Sequence, residues 1–331
     1  MLTFNLNEIF LLIFIILINL IILKNRIIIS SKLRINDFPN KRKIHNEPTP
    51  LMGGVCIFVT LMSISIYNHL YNEIDYINLT INITYYTIFF LVGFCDDVKQ
   101  LSPKLRTLII IGSLSVLILF NNNYQIQNLI FKYSDYNFNL GNLAFFFTIF
   151  CVFALYNALN FIDGYNGVSS SIAIYWVIFI LINNPNLDYL ITLVILIMIF
   201  SYNIMGKIFL GNSGTNILSI FISLSIISDY NRFESFYADE ILLLLFFPGI
   251  DMIRVTAQRI IKGNKIYNPD QSHFHHYLIR KKIKYIWQIM FFLSILPYLI
   301  LIVSNNTLYA LAISTIIYIV IFKLVKVKTK N

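Results

Sequence analysis

The sequence predicts an all-α, polytopic integral membrane protein, a bundle of about eleven transmembrane helices. Three observations predict it. Hydrophobic residues make up 57% of the 331-residue chain and charged residues only 12%, with a mean hydropathy of +0.71. Apolar runs close to the ~20 residues that cross a bilayer core recur along the whole length. Lysine and arginine fall almost entirely in every second segment between those runs.

The first run, 7–29, has no basic start and no small-residue cleavage site, and it is too long for a signal-peptide core. It is expected to remain as a membrane helix. Runs at 53–71 and 76–95 follow, the second free of charge until Asp96, and then runs at 106–124, 140–159 and 168–183. The seventh and eighth, 189–206 and 208–228, almost touch around Lys207–Thr215, and 241–257, 286–304 and 307–322 complete the set. No connecting segment is long enough for a soluble domain. A single membrane-embedded domain over 1–331 is expected, with inward loops at 30–52, 96–105 and 258–285.

With the N-terminus outside, the C-terminus inside and the spans alternating, 23 of the 25 lysines and arginines face inward, leaving only Lys132 and Arg232 outside. That asymmetry predicts an N-out, C-in orientation. The net charge of +9 is then the positive-inside pattern, with attraction to anionic membrane lipids, and calls for no nucleic-acid partner. Cys56, Cys95 and Cys151 lie in or at the inner ends of spans, so no disulfide framework is implied. The chain shows no internal repeat, which gives no support to an inverted-repeat transporter.

Four polar clusters fall on the inward side of this topology. Asp96 and Asp97 end the third span, where ionisable groups are costly and by default mark function. Asn157, Asn160 and Asp163, spaced by three, share a helix face at the end of the fifth, and Asp163-Gly164 also reads as a helix stop. Gly211-Asn212-Ser213-Gly214-Thr215 opens the eighth span, either as a helix-terminal anion site or as a tight interhelical turn. His273, His275 and His276 lie in a loop flanked by Arg254, Arg259, Lys262, Lys265, Arg280, Lys281, Lys282 and Lys284. Such a loop suits phosphate or nucleotide, whereas a zinc site lacks a cysteine or a compactly spaced fourth ligand. Asp251 and Arg254, one turn apart, are expected to neutralise each other.

These motifs, in order, resemble the polyprenyl-phosphate N-acetylhexosamine-1-phosphate transferases, the superfamily that includes the phospho-MurNAc-pentapeptide translocases. The resemblance rests on His45 with Pro48-Thr49-Pro50-Leu51-Met52-Gly53-Gly54, the Asp96-Asp97 pair with Leu101-Ser102-Pro103-Lys104, the Asn157-to-Gly167 segment, Phe209-Leu210-Gly211 and the His-x-His-His loop. It implies a multi-pass enzyme of the bacterial plasma membrane with a cytoplasmic active site. In the reaction it implies, undecaprenyl phosphate attacks the β-phosphorus of a UDP-sugar, UMP leaves, and a lipid-linked cell-envelope glycan is started. The partners implied are polyprenyl phosphate, a UDP-sugar and membrane lipids, with a homodimer left open.

Carried across residue by residue, the resemblance implies Asp96, Asp97 and Asp163 as catalytic residues. Together with the basic loop it implies His45, Lys104, Asn157, Asn160, Arg259, His273, His275 and His276 as substrate-binding residues. Mg²⁺, with Mn²⁺ as a substitute, is the implied cofactor, held by Asp97 and the residue at 212. Three departures stand out. Asn212 replaces the aspartate of the family's Phe-x-Gly-Asp-x-Gly motif, Gln271 stands where a basic residue commonly precedes the histidines, and Asn166 replaces an aspartate seen in many members. A lipid-phosphate-binding relative with impaired catalysis therefore stays open beside the enzyme. A transporter is the third reading, weakened because its carboxylates would gather at one face.

Overall fold

The computed structural model describes residues 5–39, 47–71, 75–134, 136–233, 236–265 and 271–326. His45 lies outside them. Every predicted span is a helix or a broken helix. Eight described helices are long and apolar enough to cross a membrane: α1 (Leu6–Lys24), α3 (Gly53–Tyr71), α4 (Tyr76–Val98), α5 (Pro103–Phe120), α6 (Ala144–Ile162), α8 (Leu187–Ile204), α13 (Ile286–Ser304) and α14 (Thr307–Val325). A short helix α2 (Arg26–Leu33) follows α1, and α7 (Val168–Asn183) is apolar but only 16 residues long. Starts are locally encoded. Asn5 and Glu8 form a reciprocal capping box on α1, and Ser102 caps α5 with Pro103 at the first helical position.

The eighth expected span is α9 (Gly211–Phe233), which is not a lipid-facing helix. It packs against α3, α4, α6 and α7 and is buried on nearly all sides. Asn212, Ser213, Thr215, Asn216, Ser219, Ser223 and Ser225 lower its hydropathy, and small polar residues of this kind let neighbouring helices approach closely.

The ninth expected span, 241–257, is broken into α10 (Ala238–Leu244) and α11 (Phe246–Ile261). Pro248 has no N–H to give the carbonyl four residues back, that of Leu244. The Trp176 indole fills the vacancy, its Nε1 donating to Leu244 O at 3.2 Å. The segment after α11 then carries α12 (Phe274–Arg280).

Two small antiparallel ladders complete the molecule. Strand β1 (Asn36–Asp37) pairs with β2 (Thr49–Pro50), and β3 (Asn128–Phe131) pairs with β4 (Tyr136–Asn139) at the opposite end of the bundle. β2 continues into contact with the segment before α9. Phe209 N donates to Pro50 O at 2.9 Å, and Gly53 N and Gly54 N donate to Phe209 O and Leu210 O, both at 3.1 Å. Those bonds seat the start of α3 against the start of α9.

Candidate active site

The glycines at this end permit close approach of backbones rather than phosphate binding. A Cβ on Gly93 would lie 2.5 Å from the Asn212 carbonyl carbon, and one on Gly54 would lie 2.6 Å from Gly214 N. Helices α3 and α4 therefore press directly on the first turn of α9.

That contact brings Asp97 onto the α9 N-terminus. Its Oδ1 accepts from Asn212 N at 2.8 Å, and its Oδ2 accepts from Ser213 N at 3.0 Å and Ser213 Oγ at 2.8 Å. Orphan N–H groups and the positive end of the helix dipole favour an anion there. The anion is a side chain of the protein itself, so the small-residue turn is an interhelical seat.

The two adjacent aspartates have separate surroundings, as residues about 100° apart around a helix must. Asp96 turns away from Asp97. It accepts from Leu101 N at 2.7 Å and pairs with Arg106 at 2.7 Å, fastening the turn between α4 and α5. Lys104 is exposed, and Arg106 is the basic residue beside the aspartates. Sequence reasoning did not single out Arg106, although it lies one helical turn from the Ser102 cap.

On α6, Asn160 Nδ2 donates to Asn212 Oδ1 at 3.1 Å and Thr215 Oγ1 at 3.3 Å, while Asn157 turns back to Phe153 O at 2.8 Å. Asp163 follows as the α6 C-cap and accepts from Ser169 Oγ. Burial pushes its carboxyl up to about 6 against the Ser169 hydrogen bond, and the charges of Asp97 and Asp37 add to the rise. Asp37, on β1, is thus a third carboxylate facing this site, and its two-residue strand gives no sequence signal. Asn203 holds the turn after Asp163, accepting from Gly167 N at 2.6 Å while its Nδ2 donates to Ile208 O at 2.9 Å.

The histidine loop closes the site from α11 and α12. Buried Asp251 is its hub, with Arg254 Nη2 at 2.7 Å and Tyr318 OH at 3.0 Å on Oδ1, and His273 Nδ1 at 3.1 Å and Phe274 N at 3.2 Å on Oδ2. The Asp251–Arg254 pair therefore neutralises itself and also orients His273. Phe161 of α6 packs on the His273 ring with centroids 5.1 Å apart, and the Arg259 guanidinium lies 5.6 Å from the Phe161 ring centre. His275 packs against Gly164, where a Cβ would collide with its Nε2, and its ring is 4.1 Å from that of His276. Burial, with the charges of His276 and His273, holds His275 well below its ordinary value, so it stays neutral. Neither of its ring nitrogens has a hydrogen-bond partner among the described residues. Arg280 donates to the Gln271 carbonyl, so Gln271 has a cation beside its backbone where its own side chain supplies none.

Asp97, Asn160, Asp163, Asn212, Arg259, His273, His275 and His276 thus converge at one end of the bundle. Their fit to a magnesium ion is poor as they stand. Asp97 already accepts three hydrogen bonds, Asn212 Oδ1 accepts from Asn160, and no three described His, Cys, Asp or Glu residues are placed to share a metal.

The raised Asp163 carboxyl predicts a pH limb for any reaction that needs its anion. Turnover is expected to fall about tenfold per pH unit below about 6, as the group protonates. Asp163→Asn should lower turnover by at least about a hundredfold and make the limb that remains shallower by the one proton Asp163 contributed. A pH–rate profile of both forms checks this, and an unchanged limb in the variant would assign it elsewhere.

The sequence model of glycosyl transferase family 4 matches residues 79–229, the stretch that carries Asp97, Asn160, Asp163 and Asn212. The chain is 27% identical to a probable undecaprenyl-phosphate N-acetylglucosaminyl 1-phosphate transferase of Bacillus subtilis, over 75% of this chain and 70% of that one. It is 24% identical to the undecaprenyl-phosphate alpha-N-acetylglucosaminyl 1-phosphate transferase of Escherichia coli O157:H7, over 76% and 70%. The enzyme of that name from Yersinia pestis is also 24% identical, over 81% and 76%. The chain is thus similar, over most of its length, to polyprenyl-phosphate sugar-1-phosphate transferases, and its middle part matches glycosyl transferase family 4.

Proposed function

We propose that this chain transfers an N-acetylhexosamine-1-phosphate from a UDP-sugar to undecaprenyl phosphate, releasing UMP and starting a lipid-linked cell-envelope glycan. The observation that carries the reading is the meeting of Asp97, Asp163, Arg259 and His273 at one end of a membrane bundle. That end bears most of the lysines and arginines, which supports a cytoplasmic face in the bacterial inner membrane.

The chemistry needs no deprotonated protein nucleophile. A lipid phosphate with a second pKa near 6 is already largely dianionic at pH 7. One of its oxygens forms a bond to the phosphorus that carries the sugar, the bond to the UMP oxygen breaks, and UMP leaves with that electron pair. The protein's work is positioning and charge stabilisation. Arg259 supplies positive charge, and Asp251 fixes the orientation of the His273 ring. Asp97 holds the α9 turn against α4, and the Asp163 anion is placed to orient a hydroxyl or amide donor of the substrate. Mg²⁺, which the resemblance implies, would supply further charge neutralisation when bound, and no step here runs through it.

The test is UMP release by the purified protein in nanodiscs, with undecaprenyl phosphate and a panel of UDP-sugars. Release with one or more sugars supports the reading. Tight lipid-phosphate binding with no release would favour the impaired relative, which the neutral Asn212 and the poor metal fit motivate. Orientation is checked separately. In a cysteine-free background, Ser134→Cys should label with an impermeant thiol reagent from outside, and Lys282→Cys only after the membrane is opened. Both labelling from outside would overturn the assignment.

A further inference from the structure

An open groove of about 350 Å³ runs between the ends of α11 and α14. Its volume is that of a small ligand cleft, ~300–1,000 Å³. Ala257, Ile261 and Phe322 give it an apolar floor, and Gln258, Lys262 and Lys326 stand around it. The transferase reading uses none of these six residues.

The groove occupies a different face of α11 from the candidate active site. Asp251 and Arg259, two turns apart, are buried against the histidine loop and Phe161, whereas Ala257 and Ile261 are exposed, Ile261 at 85%. Arg254 stands between the two. Its guanidinium lies 4.2 Å from the Phe322 ring centre, and its nitrogens are committed to Asp251, Ser272 O, Tyr318 and Gln258.

The two lysines are not committed. Both are exposed, and neither ammonium has a hydrogen-bond or ion-pair partner among the described residues. Lys326 Nζ lies 6.0 Å from the Phe322 ring centre, at the mouth of the groove. The end of α14 already has a cation in Lys281, whose Nζ donates to Leu324 O at 2.6 Å. Gln258 accepts from Arg254 through Oε1 at 3.4 Å and keeps both of its amide N–H donors. No described carboxylate lines the groove.

The depth fits a lipid. α14 begins beside the β3–β4 hairpin, where Thr307 donates to Asp239, and ends at Val325. Its 19 residues rise about 28 Å, close to the ~30 Å of a hydrocarbon core. Lys326 therefore sits at the membrane–water boundary, with Phe322 one turn inside it. Basic pockets between membrane helices at that level take lipid head groups.

We propose that this groove binds an anionic glycerophospholipid. Its phosphate lies between Lys262, Lys326 and the Gln258 amide, and an acyl chain follows Ile261, Ala257 and Phe322. The lipid is not the acceptor substrate, whose phosphate has to reach the other face of α11. By packing on Phe322 it holds Arg254, and through Arg254 the Asp251–His273 contact.

The experiment is native mass spectrometry of the full-length protein released from detergent, titrated with phosphatidylglycerol or phosphatidylcholine of matched acyl chains. One phosphatidylglycerol per chain should be retained saturably, at least about tenfold more tightly than phosphatidylcholine. Lys262→Gln combined with Lys326→Gln should lower that affinity at least about tenfold. Ala257→Trp fills the floor at an exposed position, keeps every charge, and should lower it as well. Lys24→Gln combined with Lys32→Gln, at exposed lysines of α1 and α2, should leave it unchanged.

Equal retention of the two lipids would overturn the site. So would an equal loss in the Lys24 and Lys32 control, which would reduce the effect to general attraction toward a basic surface. Full affinity in Ala257→Trp would place the lipid elsewhere. Displacement by one equivalent of undecaprenyl phosphate would overturn the proposal too, making the groove part of the acceptor's path. None of these readouts depends on transferase activity.

Discussion

UMP release by Asp97→Asn is expected to fall by at least about a hundredfold, the scale on which one well-placed charged or hydrogen-bonding group acts in this kind of chemistry. The structure explains why an isosteric change should be so damaging. Asp97 accepts three hydrogen bonds, two of them from the Asn212 and Ser213 backbone at the opening of α9. Asparagine keeps one acceptor oxygen and turns an NH₂ group toward donors that need an acceptor. It also removes the negative charge from the positive end of the helix dipole. The α9 turn should loosen, carrying Asn212 and its Asn160 contact with it. Ser213→Ala removes a single side-chain bond and should cost much less. Turnover and melting temperature measured on both variants separate the two effects. Near-normal UMP release from Asp97→Asn, at matched expression, would reduce Asp97 to a charge at the membrane edge.

Much of this arrangement is legible in the chain itself. Apolar runs of membrane-crossing length place the helices, because a bilayer admits few alternatives to a helix. The break at Leu245 is visible in Pro248, although which group takes the freed carbonyl is a tertiary fact supplied by Trp176. Asp96 and Asp97 read as a pair because they are adjacent, whereas helix geometry sends them to different partners, Arg106 and the α9 turn. Asp37 is invisible, since its strand exists only through pairing with β2. Gly93 reads as one more small residue in an apolar span, yet it is where the α9 backbone touches α4. Long-range backbone contact leaves almost no local signature.

Replacing Asn212 with aspartate is expected to lower the half-saturating Mg²⁺ of the transferase assay by at least about tenfold. The wild-type site offers the ion little. Asp97 is committed to α9, and Asn212 presents a neutral carbonyl oxygen already accepting from Asn160 at 3.1 Å. A carboxylate at 212 retains an oxygen for Asn160 and adds both a second oxygen and a negative charge, which a hard cation prefers. An opposing effect is built into the same position. Asp163 already feels the charges of Asp97 and Asp37, and a further anion nearby would make its ionisation harder. At sub-saturating Mg²⁺, then, the acidic limb of the variant should move to higher pH, and saturating Mg²⁺ should move it back. Those two measurements distinguish a site poised to take a metal from one rebuilt around neutral groups. An unchanged or weaker Mg²⁺ response in Asn212→Asp would remove position 212 from the metal's ligands while leaving the transferase reading intact.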